Sequence, residues 1–198
     1  MSRMTMTLVP MLMMMLFARG RETWAQEVAT RTQLLQRTFE QLHHEQFDSA
    51  LAICTELRAT QPEDPAGYVM AATVYQAMMR LYRLRLFEAA MDSLSQLGEQ
   101  LAQKQLRKNE NAEGWFMLGS AKGNLALQRF NRGEWAAGLQ DAVLALHAMK
   151  QAMRHDKSFM DPGLALGLYE YWKSKKLGMG LGLFAGSRKD ALKLKEKV

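Results

Sequence analysis

The chain is 198 residues long, 48% hydrophobic and 23% charged, with 26 Lys+Arg against 20 Asp+Glu. That length fits one domain or a short repeat array, and the ordinary charge content excludes wholesale disorder. Cys54 is the only cysteine, which excludes an intrachain disulfide scaffold.

The N-terminus reads as an address. Arg3 precedes an uninterrupted apolar run from Leu8 to Ala18, and seven of the 16 methionines lie in residues 1–25. A polar stretch then ends in Thr23-Trp24-Ala25. A basic start, a short apolar core and a small residue at the exit predict a secretory signal peptide over residues 1–25. Ala25 and Gly20 are the two candidate cleavage points. An uncleaved anchor is the alternative, but a span needs about 20 apolar residues, and Pro10 sits inside this run. The expected location is the periplasm or the exterior. No cysteine lies near the exit, and Cys54 falls inside an apolar helical pattern, so it reads as a small buried residue.

From residue 26 onward the chain predicts an all-α domain, 26–198. Strand signals are nearly absent, and Ala, Leu, Met, Gln, Glu, Lys and Arg dominate. Apolar residues recur at helical spacing, as in Leu35, Phe39 and Leu42, or Leu139, Val143 and Leu146. Asp64-Pro65 and Asp161-Pro162 each set a capping acid before a proline suited to a first helical turn. Asn111 is a further cap, Gly133 marks a turn, and Ser187 with Asp190 forms a capping box. About eight helices result, over 27–44, 47–60, 65–83, 85–108, 112–131, 134–155, 162–177 and 187–198. Their short connections predict antiparallel hairpins.

The hairpins carry a repeat. Tyr68-x-x-Ala71-Ala72-x-x-Tyr75 and Trp115-x-x-Leu118-Gly119 both open the first helix of a pair. Phe47, Ala50, Cys54 and Leu57 lead to Pro62 in the preceding second helix, and Leu164, Gly167, Leu168 and Tyr171 give a weaker fourth match. These residues resemble the tetratricopeptide repeat, with its Trp-x-x-Leu-Gly-x-x-Tyr, Ala-x-x-x-Phe and Pro positions. The likeness covers about residues 45–195 and is nearest to tetratricopeptide-like proteins of bacterial envelopes with lengthened helices. Small residues such as Ala50, Ala72 and Gly119 would let helices approach, while Tyr75 and Trp115 would fill the space between pairs. The spacing from Leu35 to Tyr68 fits the family, whereas those from Tyr68 to Trp115 and on to Leu164 are too long. Phe39 stands where the family prefers a small residue, and Lys122 replaces the later Tyr of the third unit. HEAT-type repeats and an unrelated helical bundle are the alternatives. The resemblance implies a right-handed α-solenoid of antiparallel helix pairs, about four in number, the last one short.

Chemistry is sparse. His43 and His44 are adjacent and point about 100° apart on a helix, and His147 and His155 lack a companion carboxylate or thiolate set. No His-Glu-x-x-His, Gly-x-Ser-x-Gly or calcium-loop pattern occurs. The expectation is a non-enzyme with no metal and no cofactor. The Gly-rich stretch Gly178–Gly186 follows no strand and fits no phosphate-loop spacing, so it reads as a connection, with an apolar contacting tip as the alternative.

The net charge of +6 is unevenly distributed. Residues 26–172 carry 15 basic and 17 acidic residues, whereas residues 173–198 carry eight basic and two acidic ones. A near-neutral body is no platform for nucleic acid. The basic end is a candidate for contact with an envelope membrane, or simply a solvated helix face.

The resemblance therefore implies an exported scaffold that binds a protein or peptide on a concave surface lined by first helices. The positions it places there are Val69, Thr73 and Gln76, then Phe116, Ser120 and Asn124, then Tyr169, Trp172 and Lys173. Each could be core instead if the register moves by one residue. The alternatives are a structural or assembly subunit of an envelope complex and, less favoured, a helical enzyme.

Overall fold

The structure, a computed structural model, describes residues 30–163, 165–167 and 170. The signal over 1–25, the Gly-rich stretch, the basic end and the helix expected over 187–198 lie outside these residues. Every regular element among them is a helix. These are α1 over residues 30–43, α2 (Phe47–Thr60), α3 (Ala66–Tyr82), α4 (Glu88–Lys108), α5 (Ala112–Asn131) and α6 (Trp135–His155), with a seventh, α7, starting at residue 161.

The chain divides into two compact units, Met1–Ile53 and Cys54–Val198, with the boundary inside α2. In the first unit, Leu34 and Thr38 of α1 are buried, and Thr38 Oγ1 donates to Leu34 O at 2.8 Å. Phe39 is exposed. The inner stripe of α1 thus runs through Leu34 and Thr38 rather than through the predicted Phe39. Glu45 takes a left-handed conformation (φ 59°) to end α1, and Phe47, Ala50 and Ile53 are buried in the opening turns of α2.

In the second unit, consecutive helices pack on one another: α3 on α4, α4 on α5 and α5 on α6, with α3 also touching α5. The connections are short, 83–87 between α3 and α4 and 132–134 between α5 and α6, so the partners run antiparallel. Local chemistry sets their ends. Asp64 Oδ1 accepts from Ala66 N at 2.9 Å, and Asn111 Oδ1 accepts from Gly114 N at 2.7 Å, satisfying amides that a helix start leaves free. Gly133 supplies the positive φ (82°) that turns the chain between α5 and α6.

Close approach of the helices rests on small residues, as the repeat pattern implies. Ala72 and Ala102 are fully buried. A Cβ at Gly98 would stand 2.7 Å from Val69 Cγ2, and one at Gly119 would stand 2.9 Å from Met149 Cε and 3.1 Å from Ala145 O. Tyr75 stacks on Phe87 at 5.0 Å beside the core group Ala72, Met79 and Met91. On α6 the apolar stripe that marks the helix does not turn inward. Leu139 and Val143 are exposed, while Gly138, Asp141, Ala145, Ala148, Met149 and Ala152 are buried. The spacing correctly marks a helix, but the small residues choose the inner face because they permit the shorter interhelical distance.

The α3–α4 and α5–α6 turns lie at the same end of this unit and are clamped together. Arg132 Nε is 3.3 Å from Glu88 Oε2, and its Nη2 also bonds Asp92 Oδ2. Arg85 takes the same Glu88 carboxylate from the turn itself. These guanidiniums, Arg85 foremost through its hydrogen bond, hold the Glu88 carboxyl below its usual range. At the opposite end, Lys104 and Lys108 pair with Glu63.

Candidate functional site

The contact between α3 and α5 brings together three of the predicted lining residues. Thr73 Oγ1 donates to Val69 O at 3.0 Å, one turn back on α3. Asn124 Nδ2 reaches across from α5, donating to Thr73 Oγ1 at 3.2 Å and to Val69 O at 3.4 Å. Asn124 thus ties α5 directly to α3, two helices back in the chain. Its own surface is buried, and Val69 is core, packed against Gly98. Neither side chain offers area to a partner, because the close α3–α4 approach consumes the one and the interhelical bridge consumes the other.

Four predicted residues flank this bridge and keep partial exposure. Thr73 and Gln76 extend it along α3, and Ser120 and Phe116 extend it along α5. Phe116 meets the ring of Phe159 edge-on, at 5.4 Å, where the chain leaves α6 toward α7. Tyr169, Trp172 and Lys173 lie outside the described residues.

Sequence reasoning passed over two buried polar side chains at this interface. Gln128 stands one turn beyond Asn124 on α5, and Ser95 stands one turn before Glu99 on α4. Gln76 Nε2, Ser95 Oγ and Gln128 Nε2 are buried with no hydrogen-bond partner among the described residues. The signal was available: Met117, Ala121, Asn124, Leu125 and Gln128 share one stripe of α5, and polar residues on such a stripe must be satisfied or costly.

A charged hub lies on the neighbouring face. Lys122 Nζ is 2.7 Å from Glu99 Oε1 of α4 and 3.2 Å from Asp141 Oδ1 of α6. Arg129 Nη1 adds a contact of 2.7 Å to Asp141 Oδ2 and also donates to Ala137 O at 3.3 Å. Asp141 is almost wholly buried, and the Lys122 and Glu99 side chains are mostly so. Lys122 of α5 is a cation that binds three helices together, α4, α5 and α6. Lys122 and Arg129 are two turns apart on one face of α5, and Asp141 interrupts an otherwise apolar face of α6, so the pairing was readable.

Within the hub each charge is matched by another, Lys122 and Arg129 against Glu99 and Asp141, so it acts as an ionic lock between helices. His147 lies edge-on to Trp115 at 6.1 Å, and His155 Nε2 lies 3.3 Å from Glu110 Oε1 on the surface. Cys54 is fully buried. Among the described residues, no group of three His, Cys, Asp or Glu side chains is placed to hold a metal ion. Among them also, no helix is long and apolar enough to cross a membrane.

Comparison with protein-family models, with curated proteins and with solved structures finds no match to the chain. The described residues form helices and no strand, and sequence-adjacent helices from α3 to α6 pack together.

Proposed function

We propose that the chain is an exported, tetratricopeptide-like scaffold that binds a protein or peptide along the seam of its first helices. The observation that supports this reading is the position of α5, which packs on both helices of the preceding pair, α3 and α4, as well as on its own partner α6. That arrangement is propagated by repetition, and stacked pairs generate an extended surface lined by first helices. In this reading the array is a right-handed superhelix, and the half-exposed Thr73, Gln76, Phe116 and Ser120 face the partner. Asn124 holds the seam at a fixed width. The seam offers the Ser120 hydroxyl and the partly exposed Gln76 stem beside the Phe116 ring, a set suited to an extended peptide with one apolar side chain.

A photoreactive amino acid at Ser120 or Phe116, against one at the exposed Gln140 of α6, tests the seam in intact envelopes. Discrete adducts from the seam positions alone are expected. The same adducts from Gln140, or none from the seam, would overturn the reading in favour of an assembly subunit that uses other faces. Export is tested separately, by mass: the envelope form should lack residues 1–25 or 1–20.

A further inference from the structure

The end of the second unit that carries the α3–α4 and α5–α6 turns combines two features that rarely share a protein surface. Residues 80–87 alternate arginine with apolar side chains: Arg80, Leu81, Tyr82, Arg83, Leu84, Arg85, Leu86 and Phe87. Phe87 turns inward onto Tyr75, but its neighbours do not. Leu86 is 76% exposed and Tyr82 55%, and Trp135, at the start of α6 beside this turn, is 64% exposed. Arg80 and Arg83 are exposed and make no ion pair among the described residues.

We infer that this end docks on an anionic lipid surface. The sequence of the turn explains why water is the poorer solvent for it. Exposed leucines at the apex of a turn can enter the headgroup boundary without unfolding anything, and Tyr and Trp side chains favour that boundary because they are apolar in the ring and polar at one edge. The guanidiniums of Arg80 and Arg83 then meet lipid phosphates, which each can bind with two parallel hydrogen bonds, while Arg85 stays on Glu88. The clamp described above makes the surface a single platform. Arg132 holds the α5–α6 turn, and hence Trp135, beside the α3–α4 turn through Glu88 and Asp92. A protein partner would need a complementary acidic groove around protruding leucines, whereas a membrane supplies both phases at once. The surface is separate from the seam proposed for peptide binding, and the two stand or fall independently. With helices of 20 and 21 residues standing on it, the far end of the unit would lie about 30 Å away.

The test uses an environment-sensitive fluorophore on the full chain, whose native Cys54 is buried. One variant carries it at Leu86→Cys, the other at Asn109→Cys in the turn at the opposite end. Each is mixed with vesicles of phosphatidylcholine alone or with about 30% phosphatidylglycerol. The expected result is a brighter, blue-shifted signal from position 86 on the anionic vesicles only, with position 109 unchanged. In the Leu86→Cys background, R80Q/R83Q should weaken the response about thirtyfold, at roughly a factor of five per arginine near an anionic surface. Equal responses from both positions would overturn the inference. So would cosedimentation with vesicles while position 86 stays in water, because attachment would then run through another segment or a protein. Failure of the chain to associate with anionic vesicles would overturn it as well.

Discussion

Gly119 and Gly123 are one turn apart on the same helix, yet substitution should move stability in opposite directions. A Cβ at Gly119 meets the Met149 side chain and, at 3.1 Å, the Ala145 carbonyl oxygen, a backbone atom that moves only if α6 moves. At Gly123 nothing lies within 4 Å. Gly119→Ala should therefore cost about 1–3 kcal/mol through overpacking, while Gly123→Ala should add roughly 0.5–1 kcal/mol by restricting the unfolded chain and favouring helix. Urea midpoints of the two variants check both signs. Arg83 presents the reverse case. It ends α3 in the left-handed region (φ 54°), with Leu84 N bonded back to Met79 O at 3.1 Å, a position where glycine is the ordinary occupant. Arg83→Gly should raise stability by about 1 kcal/mol, read from the same denaturation curves. That gain, if accompanied by weaker vesicle binding, would show that the arginine is kept for its charge and not for the turn.

At the scale of elements, the ionic hub and the turn clamp do different work. Lys122 sits between the carboxylates of α4 and α6, and its removal strands Glu99 while leaving Asp141 with Arg129 alone. Lys122→Met should cost about 3 kcal/mol, as expected when one member of a buried charge set is removed. The double variant Lys122→Met, Glu99→Leu should recover much of that loss, because an apolar replacement of the pair removes the stranded charge. Thermal or urea unfolding of the set distinguishes the two. The clamp at Glu88 instead shows itself in pH. Its folded carboxyl titrates below the usual value because Arg85 and Arg132 stabilise the charged form. Its contribution is therefore fully present above the unfolded value of about 4.3 and is lost as pH falls through the lower folded value. Glu88→Gln should flatten the acid limb of the stability–pH profile below that point and leave the profile above it parallel to wild type.

These elements also show what was readable in the sequence. Helix bounds followed from local chemistry that acts within a few residues, the Asp64 and Asn111 caps and the Gly133 turn, and they agree with the structure to within a few residues through α6. Which face turns inward did not follow in the same way. Phe39, Leu139 and Val143 are the larger apolar residues, but the interior takes Thr38, Gly138, Ala145 and Ala148, because the distance between helices is a property of the pair and not of either sequence alone. The candidate seam was legible in part. Thr73 and Asn124 meet, yet that contact spends Asn124 and Val69 on holding the helices together, an outcome fixed by the α3–α5 separation.

For the molecule as a whole, the hub decides how widely cooperativity extends. A repeat array held by nearest-neighbour contacts alone opens piecewise, each hairpin with its own free energy. Here Lys122 of α5 links α4 to α6, and Asn124 links α5 to α3. The two ties run through the same element, α5, but they bind different neighbours: the hub holds α4 and α6, and the Asn124 bridge holds α3. Removing Lys122 should therefore loosen α4 from α5, because Asp141 of α6 keeps Arg129, while leaving α3 on α5 through Asn124. In native-state hydrogen exchange, the slowest amides of α4, α5 and α6 should share one opening free energy in the wild-type chain. In Lys122→Met, the α4 amides should fall away from that value while those of α6, still held by Arg129, fall only by the global loss. A uniform drop from α3 through α6 would mean that apolar packing, and not the ionic lock, carries the coupling between pairs.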